Sequence, residues 1–339
     1  MKRSSLAIGI FCVAIVILSN SCKKEKEQTD ISNQFTVTTL AGSGVAGHSD
    51  GPAAAAQFDH PHNIAVDGQG NIYVSDLSKY AIRKITKDGV VSTFAGGTRG
   101  TADGNGSSAQ FIFPGALAVD AQDNIYVADS VRIRKITPAG NVTTVAGANA
   151  QFNYLTDIAV DKQGNIFAIN NFPFSSEIRK VTPSGEVSTF IDTTQKFSTA
   201  GFLSTLHQMA IDASGNIFVA RNIFLGYEIY KISPSKTITL MASTPDVMGI
   251  TVNSATGEVF FSASVISCSS FSSCKNLFQI FTLSSRGKYM LVAGDEQGFA
   301  NGTGSVARFN VAAGISADAR GNFYVADQEN NRVRKISRR

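Results

Sequence analysis

Two of the four histidines occupy the same position in a stretch of sequence that recurs along the chain. His62 and His207 each stand directly before the polar residue that opens an apolar, strand-like run. Imidazole is a common zinc ligand, but a catalytic zinc normally takes three protein ligands. A third ligand here would have to come from His60 or from an aspartate such as Asp59. We therefore expect these side chains to form a polar ligand-binding surface, with no tightly bound metal and no cofactor.

Three carboxylates also recur, at the end of the second strand-like run of their repeats: Asp76, Asp129 and Asp327. Such residues can cap turns or act as general acids and bases. The chain contains no Gly-x-Ser-x-Gly elbow, no phosphate-binding Gly-Lys-Ser/Thr loop and no His-Glu-x-x-His. We therefore assign no catalytic residue and keep the three aspartates as candidate ligand-binding positions.

The elements that position these residues are set by an internal repeat. The pattern Ile-Ala-Val-Asp, a short turn, then Asn-Ile-Tyr-Val, recurs with variations from six starting points: Ile64, Leu117, Ile158, Met209, Ile250 and Ile315. A fixed repeat of roughly 50 residues is typical of stacked or ring-like architectures. Each unit holds apolar runs of strand length separated by Gly, Asn and Asp turns. The Asp-to-Asn turn, as in Asp67–Asn71, is expected to have a structural role because its carboxylate can bind the turn backbone.

Four short antiparallel strands repeated six times predict an all-β fold, a six-bladed β-propeller. The last unit stops after Arg334–Ser337 and lacks a fourth strand, whereas Phe35–Gly42 matches the fourth strands of other units. We therefore predict that the N-terminal strand completes the C-terminal blade and so closes the ring. Units one and four then face each other, which places His62 and His207 on opposite sides of the channel mouth.

The units resemble NHL repeats, most closely in Pro61–Asp67 with Arg83–Ile85 and in Gly321–Ile336. This resemblance implies a β-propeller of four-stranded blades over residues 35–339 but no single activity. The family includes scaffolds, ligand and nucleic-acid binders and a metal-dependent amidating lyase, and similarity to that lyase would make His62 and His207 zinc ligands. Unit five departs most from the pattern.

Three of the connections between units are long: Gly44–Asn63, Gly96–Ala116 and Gly294–Gly314. Each contains an Asp-Gly or Asn-Gly pair and an Ala-x-Phe motif. Two interpretations stay open: the phenylalanines plug neighbouring blades together, or the loops bind a ligand. The variable loops lie on the same face as the histidines, and recognition commonly resides in variable loops on a rigid scaffold.

The N-terminal region predicts export. Lys2, Arg3 and an apolar run form a signal peptide over residues 1–21, and Cys22 at its end resembles the lipidated cysteine of bacterial lipoproteins. An ordinary secretory signal or an uncleaved anchor are the alternatives. Residues 22–34 are predicted to be the lipidated cysteine and a flexible polar tether. The remaining cysteines, Cys268 and Cys274, are an even pair in an exported chain and predict a disulfide.

The charge balance bears on possible partners. The formal net charge of +4 falls to +2 when Lys2 and Arg3 are removed with the signal peptide, which gives no basis for nucleic-acid binding. The Arg-Lys pairs beginning at Arg83, Arg134, Arg179 and Arg334 are expected to be solvated or to pair between blades. We predict a monomeric binding or scaffold module, lipid-anchored in the bacterial cell envelope, with a protein, peptide or glycan ligand. The alternative is a metal-dependent lyase or hydrolase with its site at the channel mouth.

Overall fold

The computed structural model describes residues 29–147, 150, 152–173, 175–193, 205–223, 226–270 and 273–339. The predicted signal peptide, Cys22 and residues 23–28 of the predicted tether lie outside these ranges. Within them, no helix has both the length and the apolar character needed to cross a membrane.

Six antiparallel sheets form the fold, and the innermost strands of successive sheets contact one another around a closed ring. From the axis outward, the strands of blades 1 to 3 are Pro61–Val66, Ile72–Asp76, Ala81–Ile85 and Val90–Gly96; Pro114–Val119, Ile125–Asp129, Arg132–Ile136 and Asn141–Ala146; and Leu155–Val160, Ile166–Phe172, Ser175–Val181 and Val187–Asp192. Those of blades 4 to 6 are Leu206–Ile211, Ile217–Ile223, Gly226–Ile232 and Ile238–Thr244; Asp246–Val252, Val259–Ser270, Ser273–Leu283 and Tyr289–Ala293; and Ala312–Ala317, Phe323–Asp327, Arg332–Arg338 and Phe35–Ala41. The six-bladed propeller is thus confirmed.

The predicted ring closure is also confirmed. Phe35–Ala41 is the outer strand of blade 6 and pairs antiparallel with Arg332–Arg338, with Val37 opposite Ile336. Both side chains are fully buried. The two ends of the chain therefore meet in one sheet.

Four blades carry a fifth, two-residue strand that the repeat pattern does not predict. Gly51–Pro52, Gly104–Asn105 and Gly302–Thr303 pair antiparallel with the outer strands of blades 1, 2 and 6. Thr29–Asp30 pairs in parallel with the outer strand of blade 5. Blades 3 and 4 have four strands each among the described residues. Single-turn 3-10 helices stand at Ser32–Gln34, Leu77–Lys79, Gly106–Ser108 and Gln328–Asn330.

The folded part begins before the predicted boundary at residue 35. Besides the strand Thr29–Asp30, Ser32 is fully buried and Ile31 packs against the apolar cluster between blades 5 and 6. The polar composition of residues 22–34 predicts a tether throughout, but backbone hydrogen bonds to an open sheet edge do not depend on apolar side chains. A tether can therefore extend only to residue 28.

The core lies between blades rather than within any one of them. One cluster joins Tyr73 and Ile82 of blade 1 to Leu117 and Val127 of blade 2, and equivalent clusters recur around the ring. Burial of both faces of each sheet explains why the second strands of blades 1, 2 and 6, such as Ile72–Asp76, are buried at every position.

The Asp-to-Asn turns between the first and second strands of the blades agree with the sequence-based expectations, and so does the disulfide. The Asp67 carboxylate accepts hydrogen bonds from the backbone N–H groups of Gln69 (3.0 Å) and Asn71 (2.8 Å). The carboxylates of four other aspartates accept the equivalent two bonds: Asp120, Asp161, Asp212 and Asp318. Cys268 and Cys274 stand opposite each other near the tip of the long blade 5 hairpin and are disulfide-bonded.

Candidate functional site

A buried arginine organises the upper part of blade 1. Arg83 lies on the third strand of the blade, and its guanidinium contacts Asp76 at 3.0 Å and Asp50 at 2.7 Å. It also donates to the backbone carbonyls of Gln57 and Ser49 and lies over the Phe58 ring, 5.2 Å from its centroid. A planar guanidinium with five donors suits such a set of convergent acceptors. The long loop before blade 1 is therefore held down by Arg83.

Blades 2 and 6 repeat this arrangement around their own arginines. Arg134 contacts Asp129 and Asp103, and Arg334 contacts Asp327 and the Asn301 amide oxygen. Each guanidinium again lies over the phenylalanine of the Ala-x-Phe motif, Phe111 or Phe309. The expectation that these arginines are solvated or pair between blades is wrong, since all three side chains are fully buried and their ion-pair partners lie on the same blade or in the loop before it. The interpretation that the phenylalanines plug the blades is confirmed, since Phe111 packs between blades 1 and 2 and Phe309 between blades 5 and 6.

The carboxylates Asp76, Asp129 and Asp327 belong to these clusters. All three are fully buried. Burial raises the pKa of Asp76 to about 6 although Arg83 acts in the opposite direction, and burial likewise raises the pKa of Asp129 and Asp327. Their remaining acceptor sites bind backbone N–H groups, such as that of Asp59 on Asp76 at 3.0 Å. A ligand role for them stays a prediction, and they are not part of the channel-mouth surface because their contacts are internal.

His62 lies at the top of the innermost strand of blade 1, against blade 2. Burial lowers the pKa of its imidazole, while a hydrogen bond with the Gly115 backbone acts in the opposite direction. The ring is therefore neutral at pH 7, with one N–H donor and one acceptor. Its Nδ1 atom is buried and has no hydrogen-bond partner among the described residues. An unpaired buried polar atom is costly, and because this nitrogen is fully enclosed a ligand or water would reach it only after a neighbouring side chain had moved.

Two exposed aromatic rings continue from His62 around the mouth. Phe113, directly before the inner strand of blade 2, lies 6.5 Å from His62 between ring centroids, and Tyr154 of blade 3 lies 6.5 Å from Phe113. Their exposed fractions are 38% and 43%. We call His62, Phe113 and Tyr154 the aromatic arc. It spans blades 1 to 3, and its Phe113 and Tyr154 side chains are exposed beside the largely buried His62.

His207 occupies the opposite side, in blade 4. Its Nε2 lies 2.9 Å from the Thr205 hydroxyl, and its ring lies 5.7 Å from that of Tyr227. Burial lowers the pKa of His207, and the charge of Asp246 partly offsets this. Burial also raises the pKa of Tyr227 to about 12, and Asp246 adds to the rise. We call His207, Tyr227 and Asp246 the polar arc. Because the blades follow one another in order, the two histidines stand on opposite blades, as expected.

The other two predicted site residues lie away from the arcs. His60 is 46% exposed, and its Nδ1 lies 2.7 Å from Asp59 while its Nε2 lies 3.7 Å from Glu329 of blade 6. His60 and Asp59 thus form an exposed pair at the seam between blades 1 and 6. His48 is exposed in the loop before blade 1. Among the described residues, no three His, Cys, Asp or Glu side chains are grouped so that they could hold a metal ion.

Below the mouth, the inner strands enclose a channel cavity of about 210 Å³. The only charged side chain on its wall within the described residues is Asp157 of blade 3. Its carboxylate accepts from the backbone N–H groups of Ile158 (2.8 Å) and Met209 (2.6 Å), and so links blades 3 and 4. Burial raises its pKa to about 7, since no cation is paired with it. The equivalent Asn63 of blade 1 accepts from Leu117 N–H at 3.2 Å.

Sequence reasoning missed Phe113, Tyr154 and Asp157. Phe113 and Tyr154 stand just before an inner strand, and Asp157 is the third residue of one. At these positions the residue type differs from blade to blade, so the repeat does not mark them. The sequence does contain a signal for this surface. When the six units are aligned, the position two residues before that of His62 and His207 holds His60, Phe113, Tyr154, Thr205, Asp246 and Val311. The residue type at this ring of positions differs in every blade, which is typical of a recognition surface on a rigid scaffold.

The NHL repeat model matches residues 309–336. No curated protein sequence matches the chain significantly. Among solved structures, a protein of unknown function from Bacteroides thetaiotaomicron is similar with a TM-score of 0.70 and 17% identity over 89% of this chain and 76% of its own. An auxiliary nutrient binding protein from the same species has a TM-score of 0.62 and 15% identity over 89% and 76%. A gluconolactonase from Xanthomonas campestris has a TM-score of 0.61 and 14% identity over 89% of both chains.

Identities this low show a shared fold and no more. The match at residues 309–336 covers the inner three strands of blade 6, from Phe309 of the Ala-x-Phe motif to Ile336 beside the closing strand. The chain is therefore a six-bladed β-propeller that carries an NHL repeat in its sixth blade.

Proposed function

We propose that this protein is an extracytoplasmic binding module, anchored by lipid on Cys22, that takes a peptide or glycan ligand at the channel mouth. The observation that carries the proposal is the aromatic arc: a buried imidazole with an unpaired nitrogen stands beside two exposed rings. Surfaces of this kind suit ligands with an apolar face and hydroxyl or amide groups.

The polar arc supplies complementary chemistry. His207 is neutral at pH 7, and Asp246 is an acceptor beside the Tyr227 hydroxyl. A ligand that stacks on Tyr154 of blade 3 would meet these donors and acceptors on the neighbouring blades 4 and 5. The rigid inter-blade packing below both arcs keeps these groups in place without a ligand, which lowers the entropic cost of binding.

Export and anchoring rest on separate observations. The signal-like residues 1–21 and Cys22 are sequence features, and a disulfide such as Cys268–Cys274 is typical of oxidising compartments. The fold is shared with proteins described as auxiliary nutrient binding proteins. Together these favour a position on the envelope, on the periplasmic or the outer side.

The test is a screen of the purified protein against oligosaccharide and peptide arrays. We expect ligands whose binding is lost in Tyr154→Ala and in the double variant His62→Ala with His207→Ala, and kept in the control His48→Ala. The fold should survive because none of these side chains belongs to the inter-blade clusters.

Ligands that bind the variants as tightly as the parent would contradict the assignment of the mouth. Metal analysis separates the enzymatic alternative. One equivalent of zinc or another transition metal retained through purification, and lost in the double variant, would favour the metal-dependent lyase or hydrolase instead.

A further inference from the structure

The edge strand Thr29–Asp30 determines the side of the ring at which the N-terminal segment joins it. The first strand of blade 5 runs away from the channel mouth, and since the strands of the blade pair antiparallel, the fourth strand runs back towards the mouth. Thr29–Asp30 is parallel to this fourth strand and lies opposite Met290 and Leu291, near its start. The chain before Thr29 therefore approaches from the face opposite the mouth, which we call the base.

The base is divided by charge. Its turns join the first strand to the second and the third strand to the fourth. In blades 1 to 3 these turns carry six carboxylates and two cations: Asp67, Asp88, Asp120, Asp123, Asp161 and Glu186, with Lys87 and Lys162. In blades 5 and 6 the same turns and residues 337–339 carry two carboxylates and five cations: Glu258 and Asp318, with Arg286, Lys288, Arg320, Arg338 and Arg339. One side of the base is thus acidic and the other is basic.

The five cations, which we call the basic edge, are available to an outside partner. All five residues are exposed, and none forms an ion pair with another described residue. The two carboxylates of the same turns are already bonded. Asp318 accepts from the Asn322 amide at 2.8 Å and the Tyr324 hydroxyl at 3.1 Å, and Glu258 accepts from the Thr256 hydroxyl at 3.1 Å.

The N-terminal segment joins the ring within the basic edge. Lys288 stands two residues before Met290, which is the partner of Thr29. After the edge strand, the Gln34 carbonyl accepts a hydrogen bond from the Arg339 backbone N–H group at 2.8 Å. The edge strand adds one carboxylate, Asp30, which accepts from the Ser32 N–H group at 2.8 Å. The first described residues therefore pass between the cations of blade 5 and those of blade 6.

We propose that the basic edge rests on an anionic lipid surface, with the acidic side of the base tilted away from the membrane and the channel mouth facing outward. The proposal rests on the lipid at Cys22 proposed above. Seven residue steps separate Cys22 from Thr29 and span at most about 25 Å, which keeps the base close to the headgroups. Each Lys or Arg near an anionic surface strengthens the attraction about fivefold. The lipid anchors the chain, and the basic edge orients the ring.

The test measures how close three labelled positions lie to the membrane. Single cysteines replace three exposed residues and carry a fluorescein donor: Ser285 at the base of blade 5, Ala139 at the base of blade 2 and Ser78 in a mouth-side turn of blade 1. The full chain is added to vesicles that contain about 30% phosphatidylglycerol and a rhodamine acceptor on the headgroups. We expect energy transfer to be highest from residue 285, lower from residue 139 and lowest from residue 78.

Two matched double variants test the cause of this order. Arg286→Gln with Arg320→Gln removes two cations whose side chains bond no other described residue. It should weaken the contact at the basic edge about tenfold or more and lower the transfer from residue 285 towards that from residue 139. The control Lys87→Gln with Lys162→Gln removes the same charge from blades 1 and 3 and should leave the transfer unchanged. About 0.5 M NaCl should act like the arginine variant, because it screens exposed charges.

Flotation with the vesicles in about 0.5 M NaCl separates the orientation from the anchor. A chain that floats in high salt but shows equal transfer from the three labels at low salt would be anchored without this orientation, which would overturn the proposal. An order of transfer that the arginine variant leaves unchanged would also overturn it. A chain that floats only at low salt, with the expected order, would support the basic edge and contradict the lipid on Cys22.

Discussion

Asp157→Asn should stabilise the protein at alkaline pH, although it removes a residue that bridges two blades. The Asp157 carboxylate is fully buried in the channel wall and bonds only backbone N–H groups. Burial raises its pKa from 3.8 to about 7. The folded state therefore binds a proton between pH 4 and pH 7 that the unfolded state does not, so stability falls as pH rises through this window.

The magnitude follows from that shift. A pKa raised from 3.8 to about 7 corresponds to roughly 4 kcal/mol of stability lost once Asp157 is ionised in the folded state. An asparagine avoids this loss, but its NH₂ group must face one of the two backbone N–H donors, which costs about 1–2 kcal/mol. We therefore expect a net gain of about 1–3 kcal/mol at pH 8 and little or no gain near pH 4.

Urea unfolding at pH 4.5 and pH 8 measures both values. The reciprocal variant Asn63→Asp is the matched control, since Asn63 makes the equivalent inter-blade bond to Leu117; it should lose stability as pH rises. A stability difference for Asp157→Asn that is the same at both pH values, or a loss at pH 8, would refute the reasoning.

Three other predictions concern the closure, the anchor and the mouth. Deleting Phe35–Gly42 should lower the melting temperature of the whole domain, because blade 6 loses its outer strand; calorimetry showing a parent-like transition would contradict this. Cys22→Ser should move the protein from the membrane to the soluble fraction, whereas retention in the pellet after a high-salt wash would favour an uncleaved anchor. Because burial lowers the pKa of His62, the folded state resists a proton that the unfolded state accepts below about pH 6.5. His62→Gln should therefore reduce the stability lost on going from pH 7 to pH 5, and an unchanged pH profile would count against a neutral buried imidazole.

The sequence predicts the ring well because the repeated residues are those that determine strands and turns locally. Apolar alternation and the Asp67-type turns determine strands and reversals locally, and the position of Phe35–Gly42 relative to the incomplete last unit indicates the closure. The edge strand Thr29–Asp30 escapes prediction because it uses main-chain bonds and has no apolar pattern.

The burial of Arg83, Arg134 and Arg334 does not follow from the sequence pattern, for a different reason. In a strand, alternation places Arg83 on one sheet face but does not say whether that face is covered. What covers it is the loop containing Asp50 and Phe58, which is distant in sequence from Arg83. The co-occurrence of Asp-Gly, Ala-x-Phe and a third-strand arginine in the same repeats was the available signal.

The parallel strand Thr29–Asp30 determines how a pull on the N-terminal end of the chain would be transmitted. Any tension applied through the N-terminus reaches its two residue pairs with Met290 and Leu291 before it reaches Phe35–Ala41. The short strand and the buried Ser32 turn therefore take up the load first, and they can detach while the closing strand keeps its pairing with Arg332–Arg338. A mechanical disturbance at the N-terminus is thus separated from the ring that holds the channel mouth in shape.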